Sequence, residues 1–290
     1  MNPPQFPEFK PLGFEDRDLI NRYLDADPSG VCEMSFPNIF IWKDSERPRY
    51  TILNGNLCIL VEPTFEPAYF LPPVGGNEVG RTIEACLEHA PRLSRVPEDF
   101  VRAHGASLRC EEDRDNFDYI YLREDLAELK GKKYDGKRNR IRKFESTFAH
   151  AYERLRSEHA DDCRRLLYQW FEEKGNGDPY MKAEKEAILE ALVLFEKLSL
   201  VGAVVSVAGR IEAFTIGTPL TGDTALIQIE IANPAFPGLA QWINREFVRR
   251  EWSGFRFINR EQDVGVPGLR KAKLSYQPDH FVKKYNLLKK

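Results

Sequence analysis

Cysteine, histidine and long apolar runs are all scarce in this sequence of 290 residues. The five cysteines and five histidines are widely dispersed, and no two cysteines are spaced as C-x-x-C. Zinc sites are usually recognised by such short spacings, so no metal site is expected. The cysteines are expected to be reduced thiols that pack as small buried apolar groups.

The longest apolar stretch, residues 198–208, is far shorter than the roughly 20 residues that a membrane-spanning helix needs. The first ten residues, MNPPQFPEFK, have neither the basic nor the apolar segment of a secretory signal. No integral membrane segment is therefore expected, and the predicted location is cytoplasmic. A Ser or Cys nucleophile motif is missing as well, which favours direct attack of one substrate on another over a covalent acyl-enzyme.

Positive charge, in contrast, is concentrated in two short segments. The net charge is −3, yet residues 130–143 carry +7 and residues 270–290 carry +6, which leaves −16 on the rest of the chain. Two basic segments on an acidic body predict a local anionic partner, and we expect them to converge on one face. An ordinary solvated face is the alternative interpretation.

Both halves of the chain show the same order of predicted elements: a hairpin, a strand, a Pro/Gly loop, a helix and a strand. In the first half, Asn54-Gly55 between two apolar runs is a strong hairpin signal. The length also favours two modest cores over one large core. The predicted fold is α/β (α+β) with two tandem lobes, 1–125 and 126–290, each a mixed, mainly antiparallel sheet flanked by helices. The second lobe would begin with a basic bridging helix.

That basic helix, starting near residue 134, would have one apolar and one cationic face. The predicted core-facing side chains are Ile141, Phe144 and Phe148. The polar side chains on the other face and its flanks are Arg138, Asn139, Arg140, Arg142 and Lys143. Guanidinium groups presented in this way suit phosphate.

The loop 233–238 leads directly into a predicted helix, so the amides near Gly238 and Leu239 could bind an anion. The equivalent loop in the first half, 74–80, contains more glycine. A turn without a ligand is the alternative for both loops.

The closing block, residues 259–285, combines carboxylates with several cations around a Pro-Gly turn. A carboxylate can take a proton from an attacking amine or hydroxyl, and a cation can stabilise the developing oxyanion. The predicted catalytic residues are Lys273, Arg270, Glu261 and Asp263. The remaining predicted substrate-binding residues of this block are Asn259, Arg260, Lys271 and Tyr276. A surface turn held by ion pairs is the alternative.

Three segments resemble a known family. LKGKKYDGKRNRIRKF (129–144) is similar to the K-x-R-N-x-I-R-K pattern of Fem-type aminoacyl transferases. IEIANPAFPGLAQWINREF (229–247) and NREQDVGVPGLRKAKLSYQPDHFVKKY (259–285) resemble the strand-loop-helix and the closing motif of the phosphatidylglycerol lysyltransferase C-terminal domain. These segments cover most of 120–290, whereas residues 1–119 match only in element order.

The resemblance implies two GNAT-like lobes and transfer of an aminoacyl group from tRNA to an amine or hydroxyl, without a metal or other cofactor. It would make Lys273 the cation nearest the reacting carbonyl, assisted by Arg270, and would assign phosphate binding to Arg138 and Arg142. The membrane-spanning flippase half of the lipid-modifying members is missing, so the acceptor, a small molecule or a lipid-like one, stays open.

Two hypotheses about function follow. In the first, the chain is an acyl or aminoacyl transferase whose donor is charged tRNA or acyl-coenzyme A. In the second, it is a non-catalytic anion- or nucleotide-binding module that keeps the fold.

Overall fold

The computed structural model describes residues 3–174 and 179–290, which form two compact units. The first unit comprises the chain up to Asp118 together with 262–267 and 281–290. The second comprises 119–261 and 268–280. This division differs from the predicted single boundary between residues 125 and 126, because the end of the chain returns to the first unit.

The first unit is built on a seven-stranded sheet. Its strands are β1 (Lys10–Pro11), β2 (Arg49–Leu53), β3 (Asn56–Val61), β4 (Tyr69–Phe70), β5 (Arg92–Pro97), β6 (Arg109–Glu112) and β14 (Lys284–Leu288). Its helices are α1 (Arg17–Ala26), α2 (Phe36–Ile41), α3 (Lys43–Glu46), α4 (Val79–His89) and α5 (Glu98–His104). The strand order is β1-β2-β3-β4-β5-β14-β6, so the last strand of the chain lies between β5 and β6.

The predicted hairpin is confirmed as β2 and β3. Leu53 pairs with Asn56 across a two-residue turn, in which Asn54 and Gly55 have φ of 54° and 80°. Positive φ at both positions gives the turn the twist that a two-residue hairpin requires. After this antiparallel start, β4 runs parallel to β5, and α4 connects them. Helix α4 covers the sheet with Ile83, Cys86 and Leu87, all buried.

The second unit contains the other seven-stranded sheet. Its strands are β7 (Asp118–Leu122), β8 (His150–Arg154), β9 (Val201–Val207), β10 (Arg210–Pro219), β11 (Thr224–Ala232), β12 (Phe257–Asn259) and β13 (His280–Val282). Its helices are α6 (Arg123–Glu128), α7 (Asp135–Thr147), α8 (Ala160–Lys174), α9 (Pro179–Val193), α10 (Leu239–Glu251) and α11 (Pro267–Leu274). The order is β13-β7-β12-β11-β10-β9-β8.

This second sheet repeats the plan of the first. Strands β9, β10 and β11 are antiparallel neighbours, and β11 then runs parallel to β12, with α10 as the connection. In each sheet, a run of antiparallel strands is therefore followed by a helix-linked parallel pair. The predicted mixed, mainly antiparallel architecture is confirmed.

The basic helix is confirmed as α7. Ile141 and Phe144 are fully buried on its inner side, while Phe148 lies just past its end and is half-buried. Within the two described ranges, we find no helix that combines the length and apolarity needed to cross a bilayer.

The prediction for the cysteines is corrected at one position. All five lie in the described ranges, and none forms a disulfide. Four are buried, but Cys110 is exposed, because all four residues of strand β6 are exposed at the edge of its sheet.

Candidate functional site

The ring of Tyr276 in the second unit is contacted by two cations. Lys137 Nζ lies 3.7 Å from the ring centroid, and the guanidinium carbon of Arg260 lies 4.7 Å from it. Lys137 Nζ also donates a hydrogen bond to Ser275 Oγ at 2.7 Å. An aromatic face can hold cations that would otherwise repel each other.

Arg260 is oriented by Glu230 on β11. The Nε and Nη2 atoms of Arg260 donate to Glu230 Oε2 at 2.9 and 2.5 Å. The other carboxylate oxygen of Glu230 accepts from Asn244 Nδ2 at 2.8 Å. Arg260 Nη1 and Asn244 Oδ1 are buried and have no hydrogen-bond partner within the described part of the chain. The guanidinium is thus held in place while its Nη1 nitrogen is still available to a ligand.

The electrostatics around Lys137 favour an anion. Partial burial, followed by repulsion from Arg260 and Arg140, lowers the pKa of Lys137 from 10.5 to about 8. A protein gathers like charges in this way at some cost in stability, which a bound anion would offset. We define Lys137, Arg140, Arg260 and Tyr276 as the cationic cluster.

Two contacts join the basic helix α7 region to the closing motif. Besides the Lys137–Ser275 bond, Tyr134 Oη donates to the carbonyl oxygen of Tyr276 at 2.9 Å. Within the second unit, segment 130–143 therefore contacts residues 275 and 276 of the second basic segment, and convergence of the two whole segments on one face stays a prediction.

Among the predicted catalytic residues, Lys273 contacts the backbone of the cationic cluster. Its Nζ donates to the carbonyl oxygen of Arg260 at 2.5 Å, and its own carbonyl accepts from Tyr121 Oη at 2.9 Å. Arg270 and Lys271 lie on the same helix, α11, where Arg270 is half-buried and Lys271 is exposed. The structure therefore brings Lys273 to the backbone of Arg260.

The two predicted carboxylates belong to different units. Glu261 is half-buried in the second unit, with φ of 52°, and its amide donates to the side chain of the buried Asn259 at 2.8 Å. Asp263 is buried in the first unit, where its carboxylate pairs with Arg114 at 3.3 Å. Glu261 belongs to the same unit as Arg260 and Lys273, whereas Asp263 belongs to the other unit, so Glu261 is the better candidate for accepting a proton at this site.

The residues predicted to bind phosphate on α7 fall into two groups. The guanidinium of Arg138 donates to the carbonyl oxygens of Leu129 and Gly131 and pairs with Asp135, which ties the end of α6 to the start of α7. Arg142, Asn139 and Lys143 are exposed, and Arg142 Nη1 donates to Asn139 Oδ1 at 3.4 Å. These exposed residues are the ones placed to meet a large anion.

The loop before α10 has a packing role. A Cβ atom on Gly238, whose φ is 99°, would lie 2.3 Å from the carbonyl oxygen of Arg140, so glycine permits the close approach of α7. The amide of Leu239 donates to the carbonyl of Phe236 at 3.1 Å and is therefore already used within the loop.

Sequence reasoning did not single out Lys137, Glu230, Asn244 or Tyr121. Lys137 lies inside the basic segment, one helical turn before the core-facing Ile141. This spacing could have indicated that Lys137 lies on the packed side of the helix. Glu230 stands in an apolar strand, IQIEI, where a single carboxylate is unusual and needs a partner.

A separate cluster of charged groups is buried in the first unit. Lys284 Nζ lies 2.7 Å from Asp118 Oδ1, 2.5 Å from Glu33 Oε2 and 3.5 Å from Cys32 Sγ. The ligand atoms of Cys32, Glu33 and Asp118 lie within 4.8 Å of one another, a spacing that could hold a metal ion. The Lys284 ammonium already supplies the positive charge among them, so we assign the cluster to structure.

These features define the class of protein. Two mixed sheets, each with one helix-linked parallel pair, make it a tandem GNAT-like α/β protein. Within this class, the chain belongs to the phosphatidylglycerol lysyltransferase C-terminal family, whose model matches residues 28–288. Family and fold are those of transferases of the lysyl-phosphatidylglycerol synthase and Fem/GNAT type.

Three solved structures illustrate the similarity. A conserved protein of unknown function from Bacteroides thetaiotaomicron is 31% identical, with a TM-score of 0.88 over 97% of this chain and 99% of that one. L-PGS from Bacillus licheniformis is 17% identical, with a TM-score of 0.61 over 94% and 92%. FemX is 10% identical, with a TM-score of 0.58 over 96% of both chains. A comparison with curated proteins gives no match.

Proposed function

We propose that this protein transfers an aminoacyl or acyl group from a phosphate-bearing donor to an amine or hydroxyl acceptor. The donor would be charged tRNA or acyl-coenzyme A, and the acceptor would attack directly. The observation that carries the proposal is the cationic cluster, where Lys137 has a lowered pKa and Arg260 Nη1 is buried with no hydrogen-bond partner among the described residues.

The charges of the cluster suit the negative part of such a donor. Arg260, held by Glu230, offers a fixed donor, while Lys137 and Arg140 add positive charge that is repelled by Arg260 and that an anion would offset. Fixed donors and cations in a partly buried site bind phosphate more strongly than the same groups in water. The exposed cations Arg142 and Lys143 would extend this attraction along α7 if the donor is an RNA.

The proposed reaction requires one proton acceptor and one stabiliser of negative charge. The acceptor nitrogen or oxygen forms a bond to the donor carbonyl carbon and loses a proton, for which Glu261 is the proposed base. The carbonyl oxygen becomes an oxyanion, which Lys273 would stabilise. Collapse of this intermediate breaks the ester or thioester bond, and the leaving oxygen or sulfur takes up the proton that Glu261 accepted.

A non-catalytic anion-binding module is the second candidate. The hydrogen bond between Lys273 Nζ and the carbonyl of Arg260 favours it, because a cation occupied by backbone is less available to an oxyanion. The two candidates agree on anion binding and differ only in turnover.

A transfer assay with two donor classes tests the proposal. Aminoacyl-tRNA carrying labelled amino acids and labelled acetyl-coenzyme A would each be offered with small amines, polyols and phosphatidylglycerol vesicles. We expect label transfer from one donor class, and its loss in Lys137→Met but not in the matched control Lys182→Met, an exposed lysine on α9. Anion-dependent stabilisation without transfer from any donor would support the binding module instead.

A further inference from the structure

The thiol of Cys32 lies in different surroundings from two other buried thiols of the first unit. Cys58 and Cys86 pack in a cluster of buried apolar side chains. Cys32 Sγ instead lies 3.2 Å from Glu33 Oε2 and 3.5 Å from Lys284 Nζ. A buried cysteine usually serves as a small apolar group, and the charged neighbours of Cys32 do not fit that role.

The sulfur of Cys32 and the nitrogen of Lys284 are both held in place. The amide of Cys32 donates to Asp118 Oδ2 at 2.8 Å, and its carbonyl oxygen accepts from Asn38 Nδ2 at 2.8 Å. Lys284 Nζ donates to Asp118 Oδ1 at 2.7 Å. Neither Cys32 nor Lys284 is exposed to solvent. Two groups held 3.5 Å apart are within the range from which positioned groups react with each other.

The carboxylates beside this pair can take up the protons that a reaction would release. Glu33 Oε2 is close to both groups, 3.2 Å from the sulfur and 2.5 Å from Lys284 Nζ. Asp118 is the second carboxylate that accepts from the ammonium. Loss of a proton makes a thiol a nucleophilic thiolate and an ammonium a nucleophilic amine. The cluster therefore combines a sulfur nucleophile and a nitrogen nucleophile with a base for each.

We propose that Cys32 and Lys284 form an oxidative modification site, at which dioxygen joins them through a sulfur–oxygen–nitrogen bridge. Dioxygen adds to the sulfur, and the thiol proton passes to the outer oxygen, which gives a sulfur hydroperoxide. Lys284 loses one proton to Asp118, and its nitrogen then bonds to the oxygen on sulfur. The O–O bond breaks, and the outer oxygen takes a proton from the nitrogen and leaves as water. Sulfur and nitrogen each lose two electrons, and dioxygen accepts all four.

The buried position favours this oxidant and this product. Dioxygen is small, uncharged and apolar, so it can enter a site that is closed to solvent. A bridging oxygen also requires a smaller approach of sulfur and nitrogen from 3.5 Å than a direct S–N bond would. The bridge would tie residue 32 covalently to β14, the last strand of the chain. This modification does not depend on the proposed transfer reaction, and it is measured without any donor.

Mass spectrometry of the folded protein tests the bridge. Protein prepared without oxygen and with a reductant is divided, and one half is moved to air-saturated buffer. That half should gain about 14 Da, the mass of one oxygen less two hydrogens, and dithiothreitol should reverse the gain. Trypsin should then release residues 23–43 joined to residues 284–289, because trypsin does not cleave after a modified lysine.

Two variants and one condition serve as controls. Cys32→Ser keeps the size of the side chain but removes the sulfur, and it should not give the joined peptide. Cys58→Ala removes a thiol from the apolar cluster and should give the joined peptide as wild type does. Wild type exposed to air in denaturant should not give it, because unfolding separates the two residues.

Thermal unfolding supplies a second measurement. A covalent tie restricts the unfolded chain, so air-exposed wild type should melt at a higher temperature than the reduced protein. Cys32→Ser should melt at the same temperature in both states. The proposal is overturned if folded, air-exposed wild type keeps Cys32 as a thiol, oxidises it to a sulfinic acid or links it to another residue. A joined peptide with a loss of about 2 Da would show a direct S–N bond and would overturn the bridging oxygen.

Discussion

Lys284 and Asp118, separated by 166 positions in sequence, form an ion pair with 2.7 Å between Nζ and Oδ1, and neither side chain is exposed. Burial acts to lower the pKa of Lys284, but the negative groups of Asp118, Cys32 and Glu33 outweigh it and raise that pKa. The ammonium therefore stays charged inside the first unit. Because Lys284 begins β14, the pair attaches the end of the chain to the unit that contains residue 118.

Removing Lys284 should strongly destabilise the protein. Lys284→Met leaves Asp118 and Glu33 as buried carboxylates without their ammonium, which typically costs about 3–5 kcal/mol. Denaturant unfolding measures this loss in the free energy of unfolding. Lys283→Met, at the exposed neighbour, should change it by less than about 0.5 kcal/mol. Asp118→Asn combined with Lys284→Met should recover part of the loss, and no recovery would contradict the pairing.

Lys137→Met should stabilise the fold near pH 7 and weaken anion binding. The folded state lowers the pKa of Lys137 from 10.5 to about 8, so it holds this proton less tightly than the unfolded chain does. The charged lysine therefore costs stability below pH 8, and the cost disappears as pH rises from about 8 to 10.5. The melting temperature of the variant should therefore exceed that of wild type below pH 8, and the difference should disappear as pH rises from about 8 to 10.5. A lower melting temperature for the variant at pH 7 would show that Lys137 is a structural residue.

Glu46→Gln should also stabilise the protein, but over a different pH range. Burial, opposed in part by Arg95, raises the pKa of Glu46 from 4.5 to about 6. The carboxylate form costs stability, and this cost grows as pH rises from about 4.5 to 6. The melting temperature of the variant should exceed that of wild type at pH 7 and match it near pH 4. Glu88→Gln, on the exposed side of α4, is the matched control and should leave the melting temperature at pH 7 close to that of wild type.

Substitutions of Arg138 and Arg142 should have different effects on the free energy of unfolding, although both residues lie on α7. Arg138→Ala removes hydrogen bonds to the carbonyls of Leu129 and Gly131 and the pair with Asp135, so a loss of about 1–3 kcal/mol is expected. Arg142→Ala should leave the free energy of unfolding within about 0.5 kcal/mol. Both values come from denaturant unfolding, and equal losses would contradict the distinction.

RNA binding, if tRNA is the donor, should depend steeply on salt. Four or five phosphate contacts give a slope of about −3 to −3.5 for log affinity against log salt on a single-stranded end. Arg142→Ala should make this slope shallower by about 0.7, the share of one contact. A flat salt dependence of wild type would favour a small donor such as acyl-coenzyme A.

Lys273→Ala tests the proposed oxyanion stabiliser. Loss of one such donor typically lowers kcat about 10²- to 10³-fold. Donor affinity should change little, because the negative charge that Lys273 meets develops in the transition state. Kinetics at saturating donor separate this result from that of Arg142→Ala, which should weaken donor binding and keep kcat. Weakened binding alone in both variants would argue against a catalytic role for Lys273.

The sequence by itself determined the local elements and their order. The Asn54-Gly55 turn, the amphipathic α7 and the helix before β12 follow from turn chemistry and apolar spacing, which act over a few residues. Repeated element order predicted two lobes, and motif resemblance added the family. Lys273 and Tyr276 could be predicted as site residues because they lie in a motif that is continuous in sequence.

Only the tertiary structure decided which distant residues meet. Strand β14 joins the first sheet, Glu230 holds Arg260, and Lys137 reaches Tyr276; none of these pairings has a local pattern that specifies its partner. Arg138 and Arg142 look alike in a basic helix, but one bonds backbone carbonyls and the other faces solvent. The physical reason is that periodicity records which side of an element is apolar, whereas partner choice depends on the packing of the whole unit.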